Sequence, residues 1–134
     1  MKSPYFLQIF CNNGKPANFY IQSHGLNAGR PLRQPIRNCY AVITDCPDAF
    51  EIVYCLYQSK VFEQHIIGSV IPFIRVRTVF SLVNDAIQLN FSKQNLKLIN
   101  NIDRHLANNQ DTRKQLKLLI FSVARQAYKE AQDN

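Results

Sequence analysis

The sequence predicts an α+β fold: a small, mainly antiparallel N-terminal sheet from residues 1–44, packed against three to four helices. Three observations carry this. Aromatic and β-branched runs, separated by Gly, Pro and Asn clusters, fill the first 44 residues. From residue 49 onward, apolar residues recur at helical spacing. Between the two regions lies Thr44-Asp45-Cys46-Pro47-Asp48, a run of helix-start chemistry.

The elements follow in order. Tyr5 to Phe10 reads as a first strand. Asn12-Asn13-Gly14-Lys15-Pro16 is a turn, and Phe19 to Gln22 a second strand. Gly25 to Pro31 reads as a loop or hairpin connection, because two glycines tolerate positive φ. Pro31 and Pro35 oppose a central strand there. Cys39 to Thr44 is a third strand, apolar enough for burial on both faces. Asp45 then caps a helix that runs to about Gln64. Pro47 suits its first turn, and Asp48 and Glu51 its positive end. Ala49, Ile52, Val53 and Leu56 mark one face of it, and Phe50, Tyr54, Tyr57 and Val61 a second, so it should be well buried. Gly68 to Ile74 is extended. A further helix carries Val76, Val79, Phe80, Val83, Ala86 and Ile87. Ser92 caps the next, with Leu96, Ile99, Ile102 and Leu106, and Asp111 the last, with Leu116, Leu119, Ile120, Val123 and Ala127. Positions 99, 102, 106, 109, 113, 116, 120, 123 and 127 also keep a heptad register, interrupted at Asn109 and Arg113. The C-terminal third is thus either a helical hairpin or one long helix in a coiled coil. The Asn-rich break favours the hairpin.

The 134 residues fit one domain, with a strand-and-loop basic region over 1–44 and a mainly helical region over 45–134. No apolar run reaches the ~18–20 residues of a membrane span, so no membrane partner is expected. The first residues make a poor signal peptide, since Gln8 and Asn12-Asn13 interrupt the apolar stretch. A cytoplasmic location is expected. Cys11, Cys39, Cys46 and Cys55 form no CxxC pair, which points to free, buried thiols rather than a metal site. His24, His65 and His105 fall in no catalytic signature, and Asp45, Asp48 and Glu51 read as helix-start charges. Neither an enzyme nor a cofactor is expected.

The net charge is +7. Residues 1–44 hold Lys2, Lys15, Arg30, Arg33 and Arg37 without a single acid, and the acids gather from Asp45 onward. Such polarisation suits an anionic partner, nucleic acid first. Lys15, Asn27, Arg30, Arg33, Arg37, Arg75 and Arg77 are the candidate nucleic-acid contacts: guanidinium forks suit phosphates and guanine edges. The Gly25 to Arg30 segment lacks the Gly-Lys-Ser/Thr ending of a Walker loop but offers backbone N–H groups to a phosphate. Tyr20 and Tyr40 flank it and suit stacking on bases or cross-strand packing.

Two resemblances add to this. Phe19 through Leu32, Asn38-Cys39-Tyr40 and Gly68 through Ile74 resemble a set of short, functionally uncharacterised proteins from gut Bacteroidetes, often encoded with mobile elements. This likeness spans about residues 5–100 and implies no activity. Tyr54 through Phe62, followed by Gly68 through Ile74, is similar to target-recognition domains of type I restriction specificity subunits. That likeness implies an α/β DNA-binding domain followed by a long pairing helix. This chain is shorter and lacks the Pro-Pro-x-x-Glu-Gln stretch that precedes that helix. The expectation is a non-catalytic, DNA-binding accessory module. The alternative is a protein-interaction module that homodimerises through residues 93–131.

Overall fold

In a computed structural model, which describes residues 5–108 and 113–133, the α+β reading holds. Four strands come first: β1 (Leu7–Cys11), β2 (Phe19–Gln22), β3 (Pro31–Leu32) and β4 (Cys39–Thr44). Four helices follow: α1 (Ala49–Gln58), α2 (Val76–Ile87), α3 (Lys93–Asn108) and α4 (Arg113–Asp133).

The strand order is β1-β4-β2-β3, and every pairing is antiparallel. β1 and β2 therefore run parallel to each other on either side of β4. Residues 12–18, which include the expected turn over Asn12 to Pro16, cross from one end of β4 to the other. Asn12 N–H donates to Cys39 O at 3.3 Å and Asn18 N–H to Val42 O at 2.9 Å. Alternation along the strands sends Leu7, Phe19, Ile21, Tyr40 and Val42 into the core under the helices. Ala41 lies on the opposite face, between its cross-strand partners Phe10 and Tyr20, and is also fully buried. β4 is thus covered on both faces, as its unbroken apolar run predicts.

The structure corrects several boundaries. The first strand begins at Leu7, and Phe6 is exposed. Pro31 was read as loop but opens a two-residue strand. It is tolerated because β3 lies at the sheet edge, where a missing N–H breaks no central ladder. The helix expected from Asp45 to Gln64 spans Ala49–Gln58 only. Asp45 does not cap it: its carboxylate accepts from Phe6 N–H at 2.8 Å and ties β1 to the end of β4. Asp48 takes the N-cap position, without a side-chain cap bond. The other end closes early because Lys60 turns left-handed (φ 67°). Lys60 N–H then donates to Tyr57 O and Val61 N–H to Leu56 O, a two-bond helix stop that glycine normally makes. A short 3₁₀ turn over Phe62–His65 follows.

α2 matches its expected pattern, with Val79, Val83, Ala86 and Ile87 buried and Phe80 largely exposed. At the start of α3, Leu96 N–H reaches Ser92 O, and Asn95 N–H reaches the Ser92 hydroxyl at 3.5 Å, so Ser92 sits where a cap was expected. α3 and α4 pack against each other, and Asn95 on α3 donates to Glu130 on α4 at 2.8 Å. This is the hairpin rather than the long helix. Asp111, expected to cap α4, lies outside the described residues, as does Asn109. α4 meets α1 through small residues: Ala124 and Ala127 are buried, and the Cys55 thiol donates to Ala124 O at 3.2 Å. The core is continuous from sheet to hairpin.

Candidate nucleic-acid interface

The site grows from one buried serine. At the end of β2, Ser23 N–H donates to Asn38 O at 3.0 Å, while its carbonyl accepts from Ile74 N–H at 3.0 Å. Gly25 N–H adds a bond to Pro72 O at 2.8 Å. The segment Pro72 to Ile74 thus takes the place beside β2 that β4 leaves at Asn38. The Tyr40 hydroxyl locks it there, donating to Ile74 O at 2.6 Å. The His24 ring stacks on Phe73, with centroids 5.7 Å apart. The bonds to Ser23 bring together Asn38 and Ile74, the chain neighbours of Arg37 and Arg75, which are far apart in sequence. Both arginines are exposed, and exposed Arg77 stands two residues on, in the first turn of α2.

The other expected contacts lie elsewhere. Arg33 folds onto α1: its guanidinium sits 3.5 Å from the Phe50 ring centroid and 3.7 Å from the Glu51 carboxylate. A cation stacked and paired within the chain has less to offer an external phosphate. Arg30 lies at the other end of the same helix. Burial raises the Tyr57 phenol above its ordinary pKa, and the Arg30 charge pulls against that shift. Asn27 accepts a hydrogen bond from Tyr57 Oη at 3.0 Å. Lys15 is exposed on the crossover between β1 and β2, where its N–H donates to Asn13 Oδ1 at 3.1 Å. Of the arginines between Gly25 and Arg37, Arg33 is thus engaged within the chain. Arg37 and Arg75 are the chain neighbours of the two residues bonded to Ser23, and Arg77 follows in α2, while Asn27, Arg30 and Arg33 lie by α1.

The glycine loop is a hairpin connection with little free backbone. Gly25 N–H is bound to Pro72, Ala28 N–H to Gly25 O, Gly29 N–H to Gln22 O and Arg30 N–H to Asn27 O. These donors are not available to a phosphate. Gly29 earns its place sterically: a Cβ there would come within 2.6 Å of the Phe62 ring, and its φ is +99°. Tyr40 is buried and cannot stack on a base, whereas Tyr20 is half-buried on the face away from the helices.

The polar contacts of Gln22, and the pairing of Ser23 with His24, are not read from the sequence. Gln22 donates through Nε2 to His24 O at 2.8 Å, but its buried Oε1 has no partner among the described residues. Ser23 Oγ and His24 Nδ1 lie 2.7 Å apart. That pair resembles an activated hydroxyl, but Ser23 is only 3% exposed and its Oγ has no path to a substrate. Neither arrangement carries a spacing signal that marks it in the sequence. Leu26, Val70 and Ile71, all exposed, sit on the two loops that the Gly25–Pro72 bond joins.

The described residues hold no group of His, Cys, Asp and Glu side chains arranged for a metal ion, and no helix among them is long and apolar enough to cross a membrane. No curated protein and no solved structure matches the chain. A family model described as a family of unknown function (DUF6943) matches residues 11–128, and the chain belongs to that family.

Proposed function

We propose that the protein is a non-catalytic nucleic-acid-binding accessory module whose contact surface is centred on Arg37, Arg75 and Arg77. One observation supports this reading: Ser23 bonds both Asn38 and Ile74, so the backbones next to Arg37 and Arg75, from two distant segments, meet at one residue. The surroundings support it. Residues 1–44 hold no acid, and none occurs between Glu63 and Asp85. Arginine forks grip phosphates in a bidentate fashion. Arg30 and Lys15 add charge at the margins. The resemblance to restriction target-recognition domains points to DNA, and that to proteins of mobile elements agrees with such a role.

A gel shift at low salt with duplex and single-stranded DNA tests this. Retardation that weakens in the Arg37→Gln/Arg75→Gln variant, but not in Arg33→Gln, supports the reading. No retardation of either form overturns it.

The alternative, self-association through residues 93–131, has lost most of its apolar stripe. Ile99, Ile102, Ile120, Ala124 and Ala127 are buried within the chain. What favours it is the exposure of Leu98, Leu118 and Leu119. Light scattering on the parent protein and on Leu118→Glu decides: a monomeric parent removes this reading.

A further inference from the structure

A cleft of about 530 Å³ opens between α4 and the turn that ends α1. It lies apart from Ser23, and its volume is in the range of small-molecule sites, roughly 300–1,000 Å³. Its chemistry is one-sided. Arg125 and Lys129 line it from α4, and Gln64 adds an amide from the opposite wall. No carboxylate lines it. Val61, Phe121 and Tyr128 give it an apolar part.

The two cations stand at i and i+4 on one helix face, where like charges destabilise each other. Neither has an ion pair among the described residues, where Arg33–Glu51 is the pair that forms. The neighbouring carboxylate, Glu130, does not line the cleft but is held at its edge by Gln126, which does. Asn95 Nδ2 donates to one of its oxygens at 2.8 Å and Gln126 Nε2 to the other at 3.2 Å. Those amides keep its pKa below the ordinary value, so it stays charged but turned to its own partners. An unneutralised pair of cations in a cleft focuses positive potential inward. The Arg125 fork and the Lys129 ammonium suit the oxygens of one phosphate, while the apolar part suits a ring.

We propose that this cleft binds a small phosphate ester with an aromatic body, of the size of a nucleoside monophosphate. The phosphate would sit between Arg125 and Lys129, with the ring against Val61, Phe121 and Tyr128.

The test is titration of the whole chain with each of the four ribonucleoside 5′-monophosphates. The parent nucleosides and inorganic phosphate serve as controls. Binding is read by calorimetry and by backbone amide shifts around residues 59–64 and 121–132. At least one monophosphate should saturate below about 1 mM, an ordinary weak small-ligand affinity. Its nucleoside and inorganic phosphate should bind at least about tenfold more weakly, since each lacks one half of the recognition. Arg125→Gln/Lys129→Gln should weaken the monophosphate by about tenfold or more with an unchanged thermal melt, because both side chains are exposed. Arg37→Gln/Arg75→Gln should leave it unaltered, so this site and the nucleic-acid surface succeed or fail separately. Three outcomes overturn the proposal: no saturation by any of the four; equal binding of nucleoside or of inorganic phosphate; or a double variant that binds as the parent does. Shifts and affinity that follow an oligonucleotide and not the monophosphates also overturn it, since they assign the cleft to a polymer.

Discussion

At the residue scale, Lys60 departs furthest from what its position asks. A left-handed L-residue costs about 1–2 kcal/mol, and the helix stop it makes is usually built on glycine. Glycine also loses more entropy on folding, by roughly 0.5–1 kcal/mol, so the strain relief is partly offset. Lys60→Gly is therefore expected to raise stability by up to about 1 kcal/mol in urea unfolding. A loss would show that the lysine side chain contributes where it stands. Cys55 carries a second expectation. Its thiol is fully buried on Ala124 O, and burial pushes its pKa up to about 12. In the unfolded chain the thiol ionises near its ordinary value. Between about pH 9 and 12 the unfolded state then binds fewer protons than the folded one, so stability falls as pH rises through that window. The slope is at most about 1.4 kcal/mol per pH unit. Tyr54, buried beside Asp103, adds to the fall above pH 10, since its phenol is also raised. Cys55→Ala removes the thiol's share: unfolding measured at pH 8 and pH 10.5 should show a smaller loss than in the parent. Equal losses would mean that the thiol ionises alike in both states.

At the element scale, the hairpin of α3 and α4 decides how the C-terminal third is read. Val123 falls in the heptad register, but it packs against the core within the chain. Val123 is half-buried, so Val123→Glu should cost about 1–2 kcal/mol, seen as a lower denaturation midpoint at any protein concentration. Leu118 is exposed, and Leu118→Glu should change stability by less than about 0.5 kcal/mol. A midpoint that rises with concentration in the parent and not in Leu118→Glu would show a dimer instead. This contrast also shows why elements were legible and their ends were not. β2, β4 and α2 could be read from the sequence because each carries one uninterrupted signal, a short aromatic and β-branched run in β2, an apolar run in β4 and a helical period in α2. α1 was over-extended because Val61 and Phe62 continue the apolar rhythm beyond Gln58. Nothing local announces that Lys60 takes a left-handed turn. β3 was hidden because two residues are too few to show alternation, and its pairing with β2 is supplied by the hairpin. The heptad stripe was visible, but whether a stripe faces a partner or its own chain depends on loop geometry, not on period.

At the scale of the whole molecule, the question is where the net charge of +7 acts. The acid-free first third was plain in the sequence. The engagement of Arg33 was not, because it meets Phe50 and Glu51 only through tertiary folding, and the segments that carry Arg37 and Arg75 are joined only through Ser23. The two fates predict different salt behaviour. A cation on a phosphate releases counterions and contributes about −0.9 to the log–log slope of affinity against salt for duplex DNA. If Arg37, Arg75 and Arg77 each meet a phosphate, the slope should be near −3, and Arg37→Gln/Arg75→Gln should flatten it by about 2. Arg33 should behave otherwise. Its pairing with Glu51 is partly exposed and its stacking on Phe50 supports packing, so Arg33→Gln should cost about 0.5–1 kcal/mol in unfolding and leave the slope as it was. Fluorescence anisotropy of labelled duplex DNA from about 50 to 200 mM salt measures both slopes, where phosphate-bound proteins change most. A slope that flattens with Arg33→Gln, and not with the Arg37/Arg75 pair, would move the interface to the α1 side of the sheet, and the bonds at Ser23 would then serve the fold alone.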